Sequence, residues 1–144
     1  MPNSDEDASI ELNELSNKKI ILAGGSIAWW PCFIGEDCSI GSAGNIGSLA
    51  HIGDEVIIGD NCKIQGGAYI ANKTRIGNNV FIGPNATIMN DKYPPSGNSN
   101  LWQIVVIGDR AVIGGGANLV AGVSMGDDSV LAAGATLTHD LPIG

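Results

Sequence analysis

Large aliphatic side chains recur at every sixth position through the middle of this chain: Ile34, Ile40, Ile46, Ile52, Ile58, Ile64, Ile70, Ile76, Ile82 and Ile88. Four residues after each of the first nine stands a small or short side chain, at Cys38, Gly44, Ala50, Val56, Cys62, Ala68, Thr74, Val80 and Ala86. The residue directly after the isoleucine is usually glycine, as at Gly35, Gly41, Gly47, Gly53, Gly59, Gly77 and Gly83. This interval matches neither the 3.6-residue period of a helix nor the simple alternation of a half-buried strand. The pattern stops at Met89 and resumes in a new phase with Ile107, Ile113, Leu119, Met125, Leu131 and Leu137. Its small partners there are Ala111, Ala117, Val123, Ser129 and Ala135, and Leu141 closes the series.

A fixed six-residue repeat is the signature of a parallel β-helix. Side chains of an extended chain alternate between two sides. One six-residue unit therefore turns two side chains inward, the large one to the middle and the small one near a bend. Glycine beside the isoleucine is expected to supply backbone angles that a Cβ would obstruct. Three units close a triangle of 18 residues, with sides of roughly 20 Å and turns about 4.8 Å apart. The sequence thus predicts an all-β fold, a triangular prism of about five to six turns and roughly 25 Å tall. Ile34, Ile52, Ile70 and Ile88 stack in one column, each contributing about 1.5–3 kcal/mol when fully buried. The period alone does not fix the hand of the coil.

Residues 1–18 read as an acidic polar arm, and 19–144 as the β-helix domain. Leu22 and Ala28 fit the six-residue phase, so an irregular first turn begins near them. Trp29 and Trp30 are placed to cover the exposed strand edge there. Between Ile88 and Ile107 the phase advances by 19 where 6 is expected. Thirteen extra residues thus leave the prism at one corner, within a loop spanning 89–106. Pro94 and Pro95 stiffen it, and Trp102 is expected to anchor its return. A long loop on a rigid scaffold is where function concentrates.

Net charge is −8, and only seven basic residues occur, without clustering. That argues against nucleic-acid binding, which needs a basic face. An anionic ligand would have to rely on a few cations and backbone amides. Three cysteines of inward or face positions do not make a disulfide framework and suit a reducing compartment. With an acidic start and no long apolar run, the expectation is a cytoplasmic protein without membrane partners.

The run VFIGPNATIMNDKYPPS, from Val80 to Ser96, resembles the active-site segment of hexapeptide-repeat acyltransferases that N-acetylate amino sugars on nucleotide carriers. The stretch IGGGANLVAGVSMGDDSVLAAGATLTHDLP resembles the closing coils of the same family. The similarity spans residues 34 to 142. It implies a left-handed β-helix, a homotrimer with sites between neighbouring prisms, and acetyl-CoA as acyl donor. In this subgroup a loop Asn or Asp holds the acceptor amine, and no strong general base is required. Asn90 and Asp91 match that position. Two departures stand out: Pro95 replaces the arginine that commonly follows the loop's first proline, and the family commonly continues beyond the DLP motif.

Asn90 offers an amide oxygen to an amine, and Asp91 offers a carboxylate to orient it or take its proton. By spacing alone the pair serves equally well to turn the chain out of the coil. The glycines from Gly114 to Gly116, Gly115 and Gly116 among them, either admit the coenzyme's pantetheine arm or simply make tight corners. By resemblance, Ala117, Gly134 and Ala135 fall where the backbone meets the coenzyme. By turn counting, His51 falls on a corner other than the one the loop leaves, and both His51 and His139 read as solvated surface residues. The leading expectation is an acetyl-CoA-dependent N-acetyltransferase of a nucleotide-linked amino sugar. The alternatives are an inactive scaffold or, less favoured, a carbonic-anhydrase-like enzyme. The latter needs three imidazoles at zinc, and the chain has two histidines, so no metal is expected.

Overall fold

The computed structural model describes residues 18–144, so the arm expected at 1–18 lies outside it except for Lys18. The chain forms a left-handed parallel β-helix of about six turns. Its strands are mostly two residues long and stack into three sheets, the faces of a triangular prism. The first face carries β1 (Lys19–Ile21), β2 (Ile27–Trp29), β5 (Asn45–Ile46), β8 (Lys63–Ile64), β11 (Phe81–Ile82), β14 (Val112–Ile113) and β17 (Val130–Leu131). The second carries β3 (Phe33–Ile34), β6 (His51–Ile52), β9 (Tyr69–Ile70), β12 (Thr87–Ile88), β15 (Asn118–Leu119) and β18 (Thr136–Leu137). The third carries β4 (Ser39–Ile40), β7 (Ile57–Ile58), β10 (Arg75–Ile76), β13 (Val106–Ile107) and β16 (Ser124–Met125).

Register follows the isoleucine columns. Ile52 lies over Ile70, and Ile46 over Ile64. Across the interruption Ile76 pairs with Ile107, so the thirteen extra residues are ejected without disturbing the ladder. Ile52, Ile70, Ile82, Ile88 and Ile113 are fully buried. The inward hydroxyls are satisfied locally: Thr74 Oγ1 donates to the Ala71 carbonyl and Ser129 Oγ to the Gly126 carbonyl, each at 2.7 Å. Ala28 is buried and pairs with Ile46, which confirms a first turn starting there. The edge of the first face is covered chiefly by β1, which runs antiparallel to β2. Trp29 contributes by donating from Nε1 to Asn45 Oδ1 at 2.8 Å, whereas Trp30 stays exposed.

The corners correct one expectation. The glycines that follow the isoleucines do not adopt positive φ. The left-handed residue comes two positions later and is mostly not glycine: ten such residues, among them Asp37, Glu55, Asn61, Lys73, Asn79 and Asn85, have φ between 56° and 68°. The glycines are required by space. A Cβ at Gly59 would run into Asn78 Oδ1 and lie 2.6 Å from the Gly77 carbonyl oxygen. That Asn78 oxygen accepts the Asp60 N–H at 2.8 Å, and Asp109 and Asp127 repeat the contact on Asn78 and Asp109. An Asx side chain from one turn thus caps the backbone of the turn before it, in the volume a side chain would take.

This geometry separates two kinds of glycine. Gly59→Ala must displace Asn78 and break its cap, at a cost of about 2–4 kcal/mol. Gly116 has φ +66° and nothing within 4 Å of an added Cβ, and Asn85 fills the same corner one turn earlier. Gly116→Asn is expected to cost under about 1 kcal/mol, since Asn tolerates the left-handed region. Urea unfolding midpoints check the order; a larger loss at Gly116 would refute it.

Candidate active site

The loop leaves the second face after β12 and returns into β13, one residue sooner than the pattern suggests, because Val106 already belongs to that strand. It is folded by its own polar groups. Asn90 and Gln103 meet at the neck, where the Gln103 N–H donates to the Asn90 carbonyl at 2.8 Å. Asp91 and Trp102 form an antiparallel bridge, so the half-buried Trp102 does anchor the return. A short 3-10 turn at Ser99–Leu101 is capped by Asn98, whose Oδ1 accepts the Asn100 N–H at 3.0 Å.

Asn90 and Asp91 lie together at this neck, both half-buried, with distinct environments. Asn90 Nδ2 donates to the Asn72 carbonyl at 3.3 Å. That contact ties the amide nitrogen to the wall and turns the oxygen the other way. Asp91 uses both carboxylate oxygens on the loop: Oδ2 accepts the Ser96 N–H at 2.9 Å and Oδ1 the Tyr93 N–H at 3.2 Å. The Ser96 N–H above all, with the Ser96 hydroxyl and the Tyr93 N–H, holds this carboxyl below its ordinary range. Asp91 is therefore charged, already engaged, and a weak proton acceptor.

Two cavities flank the loop. One, of about 200 Å3, is lined by Tyr69, Ala71, Met89, Asn90, Asp91 and Pro94. The other, of about 390 Å3, is bounded by Met89, Asp91, Lys92, Pro94, Val120, Ala121 and Thr138. They share Met89, Asp91 and Pro94, so they meet across the loop. Lys92 is the cation of the larger one. A separate cavity of about 270 Å3 on the other side of the corner gathers Glu55, Lys73, Arg75 and Ile104. There Lys73 Nζ sits 3.7 Å from Glu55 Oε2, an exposed pair that adds little stability.

The other predicted residues fall elsewhere. Gly115, Gly116, Ala117, Gly134 and Ala135 lie at the opposite end of the second face, and none lines either loop cavity. Gly116 and Gly134 stack one turn apart with φ of +66° and +72°, and nothing comes within 4 Å of a Cβ added at either. They make an open strip along that corner. His139 is exposed, with Nδ1 3.0 Å from Thr138 Oγ1. His51 corrects the turn count. It lies in β6 on the very face from which the loop departs. It is half-buried, stacked between Phe33 and Tyr69 at centroid distances of 4.7 and 4.8 Å. Tyr69, which sequence reasoning missed, brings that stack to the Asn90 cavity. The only signal was three aromatic rings spaced by 18 at outward positions. Among the described residues no group of three His, Cys, Asp or Glu is arranged to hold a metal ion, and no helix is long and apolar enough to cross a membrane.

The chain belongs to the hexapeptide-repeat acyltransferases. Residues 31–72 match the family described as bacterial transferase hexapeptide (six repeats), and residues 73–89 and 104–139 match the hexapeptide repeat of succinyl-transferase. The gap between the matched segments is the loop. Among solved structures, it is similar to the UDP-N-acetylglucosamine acyltransferase of Francisella novicida, at 27% identity and a TM-score of 0.72, covering 81% of this chain and 45% of that one. PerB from Caulobacter crescentus, solved with CoA and GDP-perosamine, shares the fold at 24% identity and a TM-score of 0.53, over 86% of this chain and 50% of that one. WeeI from Acinetobacter baumannii shares it at 20% identity and a TM-score of 0.53, over 83% and 52%. This chain spans about half the length of these structures. No curated protein gives a significant match.

The pinned carboxylate generates a pH signature. Because the folded value is lowered, its contribution to loop order is complete above the ordinary Asp value of about 3.9 and is lost as pH falls through the lower folded value. The Ser96 amide resonance should titrate with a midpoint below that of a free aspartate, and Asp91→Asn should abolish the transition. A midpoint at or above the ordinary value would mean that the clamp does not form.

Proposed function

We propose that this chain is an acetyl-CoA-dependent N-acetyltransferase, and that its acceptor is an amino sugar carried on a nucleotide. The observation that carries this reading is the pair of cavities that meet across Met89, Asp91 and Pro94. Two adjoining chambers would let an acyl donor and an amine acceptor meet with their reacting atoms at the junction. The smaller chamber presents the free side of the Asn90 amide and takes the amine. The larger has apolar walls at Val120 and Ala121 and a cation at Lys92, which suits an acyl thioester on a phosphorylated carrier. Likeness to sugar acyltransferases of the same fold supports the substrate class.

Bound acetyl-CoA would supply an activated acyl carbon. The chain's own contribution is positional. Asn90 Oδ1 accepts from the amine and aims its lone pair, while Nδ2 on the Asn72 carbonyl fixes the amide's orientation. Asp91 holds the loop in shape through Ser96 and Tyr93 and adds a negative charge near the amine. With its basicity lowered, it does not act as a strong base. Orientation then accounts for most of the rate enhancement. A homotrimer would set the open strip at Gly116 and Gly134 of one protomer, flanked by Gly115 and Ala135 and backed by the buried Ala117, against the larger chamber of its neighbour, along the coenzyme's arm.

Asn90→Ala is expected to lower kcat by roughly 100-fold, the scale of losing one fixed polar contact at a reacting centre. Circular dichroism and sedimentation of the variant should match wild type. Near-normal turnover would remove Asn90 from the mechanism. Acetyl-CoA at 100 times its Kd should stabilise the fold by about 2.7 kcal/mol. A melting temperature unmoved by millimolar coenzyme would instead favour a non-catalytic scaffold.

A further inference from the structure

The outward column of the second face changes character halfway down. Its upper half is Phe33, His51 and Tyr69, in register one turn apart. Its lower half is Thr87, Asn118 and Thr136. In the upper half the rings stack nearly parallel, with interplanar angles of 14° and 13°. One face of the Tyr69 ring is therefore covered by His51. The other overlooks Thr87, its register partner one turn on. A threonine side chain ends at its γ atoms, so the outer part of the phenol ring projects past it. Tyr69 is 45% exposed, and it forms a wall of the chamber that holds Asn90 and Asp91.

We propose that Tyr69, fixed from behind by His51 and Phe33, is the platform on which the ring of the acceptor sugar stacks while Asn90 holds its amine. This rests on the transferase reading above and names the residue that positions the acceptor. An aromatic face is electron-rich and attracts polarised C–H groups. A pyranose offers such a face on one side and polar groups around its rim. The chamber matches both: Tyr69, Ala71, Met89 and Pro94 are the apolar surface, and Asn90 and Asp91 the polar edge. Its volume of about 200 Å3 accommodates one sugar ring, with the rest of the molecule extending out of the open groove.

The role assigned to His51 is mechanical. Its ring is sandwiched, and its neighbours on both sides are aromatic. It sits two turns from Thr87 along the column, away from the amine. It limits the side-chain freedom of Tyr69, so the platform is in place before the sugar arrives. A phenylalanine at position 51 would do the same, and an alanine would not. A base, by contrast, would be lost in both variants.

The test is steady-state kinetics with a nucleotide-linked amino sugar and acetyl-CoA, following thiol release. Tyr69→Ala should raise KM for the sugar about tenfold, the scale of one aromatic stacking contact, with KM for acetyl-CoA changed less than about twofold. Tyr69→Phe should recover most of that loss. His51→Ala should raise the sugar KM in the same direction, and His51→Phe should reverse it. An unchanged sugar KM in Tyr69→Ala overturns the platform while leaving the transferase reading standing. Failure of His51→Phe to rescue overturns the mechanical role of His51. If wild type transfers no acetyl group to any amino sugar, the transferase reading falls. Saturation-transfer NMR with free glucosamine then decides the platform directly: ring-to-sugar transfer lost in Tyr69→Ala upholds it, and no transfer in wild type overturns it.

Discussion

Every turn of this prism rests directly on its neighbour at the spacing of one β-ladder. A residue's nearest tertiary neighbours are therefore the residues one turn before and after it in sequence. Each position must fit its own column. Isoleucine stacked on isoleucine shields each side chain by the turns above and below it, as the complete burial of Ile52, Ile70 and Ile88 shows. The same rule governs the corners. An Asx side chain caps the N–H of the turn before it only if the residue facing it has no Cβ, so Gly59 and Asn78 are one device. No turn is stable alone, since its hydrogen bonds and its apolar surface both belong to its neighbours.

That rule also decides where an insertion can go. A face cannot lengthen without breaking three columns, but a corner can open. Thirteen extra residues leave after Ile88 and the ladder resumes at Ile107 over Ile76 as though nothing had intervened. Having left, the loop has no column to support it and must support itself. The Asp91 carboxylate on Ser96 and Tyr93 and the Asp91–Trp102 bridge do that. The two chambers thus pair a wall of the prism with a self-clamped loop.

The isoleucine phase, the thirteen-residue excess and the start of the coil near Ala28 were legible in the sequence, because a column of inward side chains writes its period directly onto the chain. The corner chemistry was less so. Glycine after isoleucine looked like a residue needed for its backbone angles, but its reason lies on another turn, in an Asx side chain that no local window contains. The true left-handed positions are filled by residues as different as Leu49, Lys73 and Arg110, so composition hid them. His51 was misplaced for a related reason. Outward positions obey no packing rule of the interior, and a single histidine there looks solvated until its neighbours 18 residues away are seen to be Phe33 and Tyr69. Asn90 and Asp91 were legible as a pair but not as separate parts. Only hydrogen bonding shows that one amide is oriented and one carboxylate is spent.

The division between inward and outward columns explains why the two chambers form where they do. Inward positions are fixed by the demand that each turn fit the next, and they have no freedom left for chemistry. Outward positions have that freedom, and on the second face they use it in an ordered way, with rings above the loop and short polar side chains below. A loop ejected at the boundary between those halves meets a different surface on each side. Two unlike chambers then arise from one insertion, without any change to the core. The carboxylate at their junction is held by backbone donors and is poorly basic. A scaffold locked in register every 18 residues holds both chambers against the same fixed wall.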